Sequence, residues 1–380
     1  MKYFFIKTFG CQANKSDSER IAGDYVARGF KETITWKKAD EIVVNTCSVR
    51  QRAEDRVKGF LLNVGKHYAS TTKPKVILTG CMLHHQTKDI IKLLPQVDEV
   101  LPINEVGFNS PTIRRDKHHA FIPISSGCNS YCTFCIVPYS RGRERSRPLK
   151  EIVTEVKDLV DDGYQEITLL GQNVNSYGLE KTSVAVRKLL MKDSLTQKEI
   201  PTNQSAYSKP RSTPPFVKLL QEISRFKKLK TIHFITANPW DFWDELIDEI
   251  ATNKKISRYI HLPVQSGSDK ILKLMNRGYT SKHYLKLVEK IREKAPDVSF
   301  GTDIIIGFPG ETDKDFQDTV KLVKKAKFQI GFIAQYSPRP GTASYRLYED
   351  TISPQIKKKR WQILEDIINK PNLSARPVIK

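Results

Sequence analysis

The chain has no run of the roughly 18 to 20 consecutive apolar residues that a membrane-spanning helix requires. The first residues, MKYFFIKTFGCQAN, contain an apolar stretch that is too short, and too soon polar, for the core of a signal peptide. The sequence therefore argues against a membrane span and against secretion by the usual route. We expect a cytoplasmic monomer.

Cysteine is scarce, with six residues among 380. Six cysteines in a cytoplasmic chain of this length do not suggest a disulfide framework, so metal binding or redox chemistry is the better interpretation. Hydrophobic residues make up 39% of the chain, which is enough for a sizeable core. The length favours two domains.

Acidic residues are in deficit. The chain has 42 Asp and Glu against 63 Lys and Arg, a formal net charge of +21. Unless the whole source proteome is basic, this excess favours a polyanionic partner, either nucleic acid or an anionic membrane face. Much of the excess lies in three stretches: residues 111–150 carry eight basic and two acidic side chains, residues 179–215 seven and three, and residues 351–380 seven and two.

The first 110 residues alternate strand and helix signals. Strands are predicted at KYFFIKTF, EIVVNTC and KVILTGC, and helices at residues 16–28, 50–67 and 88–94. Ser16 and Asp17 are expected at the start of the first helix. Apolar strands separated by helices indicate a parallel sheet, so residues 1–110 are predicted to form a small open α/β domain.

A second alternation begins at Ala120. Its predicted strands are AFIPIS, EITLLGQ, TIHFITA, YIHLPVQ, SFGTDIIIGF and QIGFIAQYS, with helices between them. Six β/α repeats in residues 111–350 predict an open (β/α)6 three-quarter barrel, with its active site at the carboxyl ends of the strands. Residues 179–215 are polar and rich in Ser, Thr and Pro, which predicts an insertion. Residues 351–380 are expected to form a last helix, over 354–369, and a tail.

Cys128, Cys132 and Cys135, here called the loop triad, form C-x3-C-x2-C directly after the first barrel strand. Such spacing can bring three thiolates onto one metal centre. Zinc would need a fourth ligand, and the nearest candidates, His118 and His119, are badly placed beyond a strand. An iron–sulfur cluster with one open iron needs only three cysteines, so a cluster is the better interpretation than zinc or unrelated cysteines.

Cys11, Cys47 and Cys81, here called the strand-end triad, each follow one of the three predicted N-terminal strands. In an open parallel sheet the carboxyl ends of the strands border the ligand crevice, so these cysteines should converge. The alternative is buried structural cysteine, which is common. Three cysteines at three strand ends favour a second three-cysteine cluster.

At these two triads the sequence resembles the radical S-adenosylmethionine methylthiotransferases. The stretches TFGCQANKSDSE, GCNSYCTFCIVPYSRGRERSR and GQNVNSYG look like the tRNA-modifying branch that makes 2-methylthio-N6-isopentenyladenosine, and HLPVQSGSD and GTDIIIGFPGET add family-like barrel motifs. The resemblance covers nearly the whole chain except residues 179–215. Family members usually end in a small β-barrel, the TRAM domain, and no strand-rich segment follows the helix KKKRWQILEDIIN here.

The resemblance implies the cofactors and the chemistry. A [4Fe-4S] cluster on the loop triad would bind S-adenosylmethionine, whose one-electron cleavage gives a radical that removes hydrogen from the target carbon. A second [4Fe-4S] cluster on the strand-end triad would supply sulfur, and a second S-adenosylmethionine the methyl group. Radical chemistry suits this carbon because its aromatic C–H has no useful acidity. An electron donor and a sulfur source are implied but not identified.

Further cofactor and substrate contacts are expected around the barrel rim. The candidates for S-adenosylmethionine are Gly171, Gln172 and Asn173, then Gln265, Ser266 and Gly267, and by analogy Asp303 and Gly307. For each glycine the alternative is a tight turn. The alternating arginines of SRGRERSRP would share one face of an extended segment and contact tRNA phosphates: Arg141, Arg143, Arg145 and Arg147.

Two other functions stay open on the sequence alone. One is methylthiolation of threonylcarbamoyl-adenosine in tRNA or of a ribosomal-protein aspartate. The other is a non-catalytic two-cluster electron carrier, which would predict four-cysteine clusters and a small chain. With a tRNA substrate, the three basic stretches become a predicted tRNA footprint, in which the 179–215 insertion would substitute for a TRAM domain. Membrane binding then loses its support, and we expect no membrane partner.

Overall fold

The computed structural model describes residues 1–47, 51–68, 73–84, 87–108, 110–180 and 212–375. Most of the predicted insertion, residues 181–211, lies outside these ranges. The strands are β1 Tyr3–Thr8, β2 Lys31–Glu32, β3 Glu41–Thr46, β4 Lys75–Gly80, β5 Glu99–Val100, β6 His119–Pro123, β7 Ser125–Ser126, β8 Arg145–Ser146, β9 Glu166–Leu170, β10 Thr231–Ile235, β11 Tyr259–His261, β12 Ser299–Ile306 and β13 Ile330–Gln335.

The helices connect these strands in the order that the sequence predicts. They are α1 Gln12–Ala27, α2 Gln51–His67, α3 Thr87–Leu93, α4 Val137–Ser140, α5 Leu149–Asp161, α6 Pro215–Ser224, α7 Asp244–Thr252, α8 Asp269–Leu274, α9 Ser281–Lys294, α10 Asp313–Ala326, α11 Ala343–Leu347 and α12 Pro354–Leu364. A π-helical turn, Glu365–Asn369, extends α12. No helix in the described ranges is long and apolar enough to span a bilayer.

The first five strands form one parallel sheet in the order β2-β1-β3-β4-β5. Its two faces are covered separately. Val44 and Leu78 pack with Leu61 of α2 in one core, and Phe4 and Val43 pack with α1 in another. The small open α/β fold is confirmed. The edge strands β2 and β5 have two residues each, too few to produce a periodic signal in the sequence.

The next parallel strands form the barrel. β6, β9 and β10 hydrogen-bond in one half, and β11, β12 and β13 in the other. β10 contacts β11, which joins the halves into a six-stranded arc. The open three-quarter barrel is therefore confirmed, and its two outer edges, β6 and β13, need cover because an edge strand has unpaired backbone groups.

Side chains cover both edges of the barrel. Arg114 Nη1 donates to the carbonyl oxygen of Phe121 in β6 at 2.6 Å, and Arg147 Nη1 donates to that of Pro123 at 3.1 Å. At the other edge, Asn369 exchanges two hydrogen bonds with the backbone of Gly331 in β13, at 2.9 and 2.8 Å. The first sheet's helix α1 also packs along β6. The N-terminal unit and the C-terminal helix thus seal the barrel from opposite sides.

Helix α1 differs from its prediction in a way that matters for the site. It begins at Gln12 with Cys11 at its N-cap, so Ser16 and Asp17 lie inside the helix rather than at its start. Both are buried, as are Glu19 and Arg20. The polar run looked like a helix start because Ser and Asp favour that position. It is instead a polar face between the first sheet and the barrel.

Candidate active site

The loop triad lies at the carboxyl end of β6, inside a loop closed by the antiparallel pair of β7 and β8. Gly127 has φ +79°, and a Cβ there would lie 2.2 Å from the carbonyl oxygen of Arg143, so the turn before Cys128 needs glycine. The N–H of Cys128 donates to the carbonyl oxygen of Gly142 at 3.1 Å. This hairpin fixes the base of the cysteine loop.

Several N–H donors point at the sulfurs of the loop triad. Asn173 Nδ2 lies 3.1 Å from Cys128 Sγ, and the Ser130 N–H lies 3.4 Å from the same sulfur. Arg277 Nη1 lies 3.3 Å from Cys132 Sγ. Donors of this kind stabilise thiolate rather than thiol and orient metal ligands.

Two of these thiols, those of Cys128 and Cys135, have raised pKa values and so resist ionisation. Burial, the nearby Glu144 carboxylate and the neighbouring Cys132 raise the pKa of Cys128. Burial and the other two thiols of the triad raise the pKa of Cys135. Cys128 and Cys132 are buried and Cys135 is half-buried, so three thiolates at this site need a metal centre to balance their charge. The donor set and its N–H partners fit an iron–sulfur cluster.

Arg277 is a site residue that sequence reasoning missed. It follows α8 and is buried, with its guanidinium 4.7 Å from the Trp240 ring centroid and 5.2 Å from that of Tyr279. Its Nη2 donates to the carbonyl oxygen of Pro263. These contacts hold the cation against Cys132, which lies 145 residues away in the chain. No local pattern in the sequence signals such a partnership.

The strand-end triad lies along the carboxyl edge of the first sheet. Cys11 caps α1 after β1, Cys47 follows β3, and Cys81 begins the turn after β4. Gly10 has φ +129°, and a Cβ there would lie 3.0 Å from Cys47 Cβ, so the β1 turn packs on Cys47. Although Cys11 is exposed as a residue, desolvation of its thiol raises its pKa, as does the nearby Cys81, while Arg141 opposes them.

The cysteines of the two triads are not arranged around a single metal ion. Among the residues that the structure describes, no group of three or more His, Cys, Asp or Glu side chains is arranged to hold one metal ion. A cluster bound through one thiolate per iron spreads its ligands more widely than a single ion does. That both triads carry clusters stays a prediction.

A buried network of hydrogen bonds lies beside Cys11 of the strand-end triad. Asn14 Oδ1 faces Cys11 Sγ at 3.6 Å, and Asn14 Nδ2 donates to Asn45 Oδ1 and to the carbonyl oxygen of Thr46. Arg141 Nη2 reaches the same Asn14 oxygen at 3.3 Å and pairs with Asp17 at 2.7 Å. Arg141 comes from the barrel, so this network joins the two halves of the molecule.

The four-arginine strip is wrong as predicted. Arg141 is buried in its pair with Asp17, and Arg147 is buried in a pair with Glu155. Only Arg143 and Arg145 are exposed. α4 and a turn precede β8, so the segment is not extended throughout, and alternate positions do not share a face. The acidic partners lie elsewhere in the sequence and could not be foreseen.

A second arginine from the barrel approaches the strand-end triad. Arg339, in the loop after β13, is buried and pairs with Glu54 of α2 at 3.1 Å. Burial lowers the pKa of Arg339, and Glu54 and Cys47 oppose this shift, which indicates that Cys47 is close. This residue, too, was not predicted. Loops after the first and last barrel strands therefore deliver one cation each to the same three-cysteine edge.

The predicted S-adenosylmethionine contacts divide into two groups. Asn173 touches the loop triad, and Gly171 and Gln172 line a nearby cavity. Gln265, with φ +68°, uses its backbone to bridge Asp303 and Ile305. These remain candidates, as does Asp303, whose carboxylate lies 3.1 Å from His261 Nε2.

The other three candidates serve packing. A Cβ on Gly267 would lie 2.4 Å from Thr319 Cα, and one on Gly307 would lie 2.4 Å from Lys357 Cγ. The N–H groups of both glycines bond to side chains of the protein. Ser266 is buried, 3.4 Å from the Thr319 hydroxyl. These residues attach the rim to α10, α12 and the loop between β12 and α10, and their contacts with S-adenosylmethionine stay a prediction.

Comparisons with known proteins agree with this architecture. Residues 122–323 match the family described as the radical SAM superfamily, and residues 3–102 match one described as uncharacterized protein family UPF0004. The chain is similar in fold to the radical S-adenosylmethionine methyltransferase TsrM from Kitasatospora setae, with a TM-score of 0.58 at 13% identity over 91% of this chain and 77% of that one.

Relatives with higher identity share a single name, tRNA-2-methylthio-N(6)-dimethylallyladenosine synthase. The protein from Thermotoga petrophila is 38% identical, over 97% of this chain and 82% of that protein. The protein from Petrotoga mobilis is 36% identical, over 97% and 84%. The protein from Clostridium botulinum is 39% identical, over 96% and 81%.

The open barrel and its loop triad define a radical S-adenosylmethionine enzyme, which uses an iron–sulfur cluster and S-adenosylmethionine. The N-terminal unit identifies the branch of this class, because the similarity to the Thermotoga petrophila protein extends over 97% of this chain and so includes both parts. The chain belongs to the radical S-adenosylmethionine methylthiotransferase family and is a transferase.

Replacing Arg277 with glutamine is expected to lower the reduction potential of the cluster on the loop triad. A buried cation beside an anionic cluster favours the more negative reduced state. We expect a shift of roughly 60 mV, equivalent to tenfold in a one-electron equilibrium. An EPR-monitored redox titration, in a background lacking the strand-end cysteines, measures it. Arg277→Lys, which keeps the charge, should shift less, and equal potentials in wild type and the glutamine variant would contradict the assignment.

Proposed function

We propose that this chain adds a methylthio group to C2 of N6-isopentenyladenosine (N6-dimethylallyladenosine) in tRNA, at the position next to the anticodon. The cofactors would be two [4Fe-4S] clusters and S-adenosylmethionine. One observation carries the proposal. α4, which follows Cys135, contacts the turn that begins at Cys81, and Arg141 at its end reaches Asn14 beside Cys11. The two triads therefore border one seam between the barrel and the first sheet.

The chain's own residues hold and orient the reacting groups. When bound, the clusters and S-adenosylmethionine supply the one-electron chemistry that an unactivated aromatic C–H needs. Asn173 and Arg277 direct N–H groups at the loop triad and fix its sulfurs. Arg141 and Arg339 balance negative charge at the strand-end triad, where an anionic sulfur would otherwise be costly to bury. The enzyme would act as a monomer, with an electron donor and a sulfur source as further partners.

RNA binding would use the exposed remainder of the arginine segment. Arg143 and Arg145 are exposed beside the cysteine loop and have no ion pair among the residues that the structure describes. Arginines of this kind bind phosphate through two N–H groups. Phosphate contacts position an RNA without reading its sequence. The choice of adenosine would then depend on the seam.

Deletion of the gene tests the proposal directly. Total tRNA from the deletion strain is expected to lack 2-methylthio-N6-isopentenyladenosine and to accumulate its unthiolated precursor, as measured by mass spectrometry of nucleosides. A plasmid-borne wild-type copy should restore the product, and a copy carrying Cys132→Ala should not. This pairing separates the chemistry from any structural role of the protein.

The same measurement distinguishes the alternatives. Loss of methylthiolated threonylcarbamoyl-adenosine, with the isopentenyl product intact, would identify the sister tRNA activity. A mass change in a ribosomal protein, with tRNA unaltered, would identify aspartate methylthiolation. Unchanged nucleosides and ribosomal proteins would contradict all three activities and leave an electron carrier.

A further inference from the structure

A cavity of about 340 Å³ lies in the seam between α1 and the barrel rim, and we call it the seam cavity. α1 contributes Ser16, Asp17 and Arg20, and the barrel contributes the β7–β8 hairpin and the turn at Gly171. Ala13, two residues after Cys11, and Ser126, two residues before Cys128, also line it. The cavity therefore adjoins both triads. Its volume falls within the range of about 300–1,000 Å³ that is usual for small-ligand sites.

Positive charge exceeds negative charge on the cavity walls. Arg20, Arg141 and Arg145 line it, with Asp17 as the one acidic lining residue. Asp17 already pairs with Arg20 at 2.8 Å and with Arg141 at 2.7 Å. Arg145 is exposed and makes no ion pair with any described residue. An anion entering the cavity would meet a free guanidinium and an excess of positive charge.

Two buried polar atoms of the lining residues have no hydrogen-bond partner in the described part of the chain. They are Ser125 Oγ and Arg20 Nε, on residues that are 6% and 4% exposed. Leaving a buried donor without an acceptor is unfavourable, so such groups usually bind a ligand or water. Both can donate, which favours an acceptor-rich ligand. Gly171 keeps the hydroxyl open, because a Cβ there would lie 2.6 Å from Ser125 Oγ.

Part of the lining of the seam cavity is apolar. Ile103, Val106 and Phe108 line it from the segment that leads out of the first sheet. A cavity lined by both an aromatic ring and arginines suits a nucleotide, whose base can contact the ring while its phosphate contacts the cations. S-adenosylmethionine, for which Gly171 and Gln172 are sequence candidates, suits this cavity less well than a nucleotide does, because its sulfonium and ammonium groups would lie among the arginines with Asp17 already paired.

We propose that the seam cavity binds one nucleotide of the RNA beside the target adenosine, with the phosphodiester on Arg145, Arg20 and Ser125 and the base against Phe108. This site rests on the proposed function, since it presumes an RNA substrate. It deepens that function by giving the enzyme a second anchoring point on the strand. A nucleotide held here lies next to both triads, which would fix the neighbouring adenosine between them.

The first test compares wild type with three variants in their binding to a fluorescein-labelled anticodon stem-loop that carries N6-isopentenyladenosine. Fluorescence anisotropy measures the dissociation constant at several salt concentrations. Arg145→Gln is expected to weaken binding about tenfold. It should also reduce, by about one, the slope of the logarithm of the binding constant against the logarithm of the salt concentration, here called the salt slope. Phe108→Ala should weaken binding with the slope unchanged, since stacking releases no counterion. Arg225→Gln, an exposed arginine at the end of α6, is the matched control and should bind within twofold of wild type.

The second test identifies the phosphate. Single linkages of the stem-loop are replaced in turn by neutral methylphosphonate. One linkage adjoining the target should weaken wild-type binding about tenfold but leave Arg145→Gln unaffected, because the variant has already lost that contact. Additive losses at every linkage would overturn the proposal. If wild type forms the methylthio product while Arg145→Gln binds normally, only the seam cavity assignment fails. If wild type neither binds nor modifies the RNA, the proposed function itself fails.

Discussion

Cys132→Ala is expected to abolish both cleavage of S-adenosylmethionine and formation of the methylthio product. Cys132 supplies one of three sulfurs to the loop triad, and its sulfur receives the Arg277 guanidinium at 3.3 Å. Without it, the site keeps a buried cation and loses the anion that balances it, in addition to a cluster ligand. We expect a loss of at least about 100-fold, the upper end of what changes around a metal ligand usually cost. The measurement is 5′-deoxyadenosine by mass spectrometry under reducing conditions, with iron and sulfide assayed on the same preparation.

A serine in the same loop provides the control. Ser140 lies at the end of α4, where its hydroxyl contacts the carbonyl oxygen of Val137 at 3.4 Å and no cysteine. Ser140→Ala should retain iron content and cleavage within about twofold, as surface substitutions away from special contacts usually do. Persistent cleavage in Cys132→Ala, with wild-type iron content, would remove this cysteine from the cluster.

The sequence was sufficient to predict the strand framework, and the reason is physical. Strands that are buried on both faces appear in the sequence as short apolar runs between helices. EIVVNT and EITLL have this pattern, and they form β3 and β9. Cysteines placed directly after such runs were expected at one sheet edge, and parallel register places Thr46 opposite Gly80, one residue before each of two cysteines. Position along the chain was enough here, because parallel strands align their ends.

Contacts between the two halves could not be predicted in this way. Ser16, Asp17 and Arg20 look like a solvated helix start, yet they are buried because a barrel edge lies on that face of α1. Arg141 and Arg147 look like a solvated charge run, yet each has a carboxylate partner in another element. Arg277 and Arg339 gave no local signal at all. Each of these roles depends on a pairing between distant segments, which one sequence does not reveal.

The same contacts show why an open barrel suits this chemistry. A closed barrel would have no free edge, whereas β6 accepts hydrogen bonds from Arg114 and Arg147 and packs against α1. Sealing the edge with a second domain brings that domain's cysteines to the rim where the loop triad lies. The seam is therefore both the structural closure of the barrel and the place where two cysteine triads can share a substrate.

Replacing the strand-end triad as a whole separates the two chemical tasks. The triple variant Cys11→Ala, Cys47→Ala and Cys81→Ala is expected to lose the methylthio product by at least about 100-fold and to keep cleavage of S-adenosylmethionine within a few-fold of wild type. The donors that hold the loop triad, Asn173 and Arg277, contact Cys128 and Cys132, which the variant keeps. After anaerobic reconstitution, iron should fall from about eight to about four per chain, with sulfide falling in parallel.

Loss of both activities in the triple variant would contradict this division of labour, provided that the fold survives. The replaced side chains are small, and alanine keeps their Cβ atoms, including the Cys47 Cβ that packs against Gly10. Asn14 retains its bonds to Asn45 and Arg141 whether or not Cys11 is present, so the interdomain network should persist. Melting temperature then serves as the structural control. A variant that melts like wild type, cleaves S-adenosylmethionine and makes no methylthio product would assign sulfur insertion to the strand-end triad and radical formation to the loop triad.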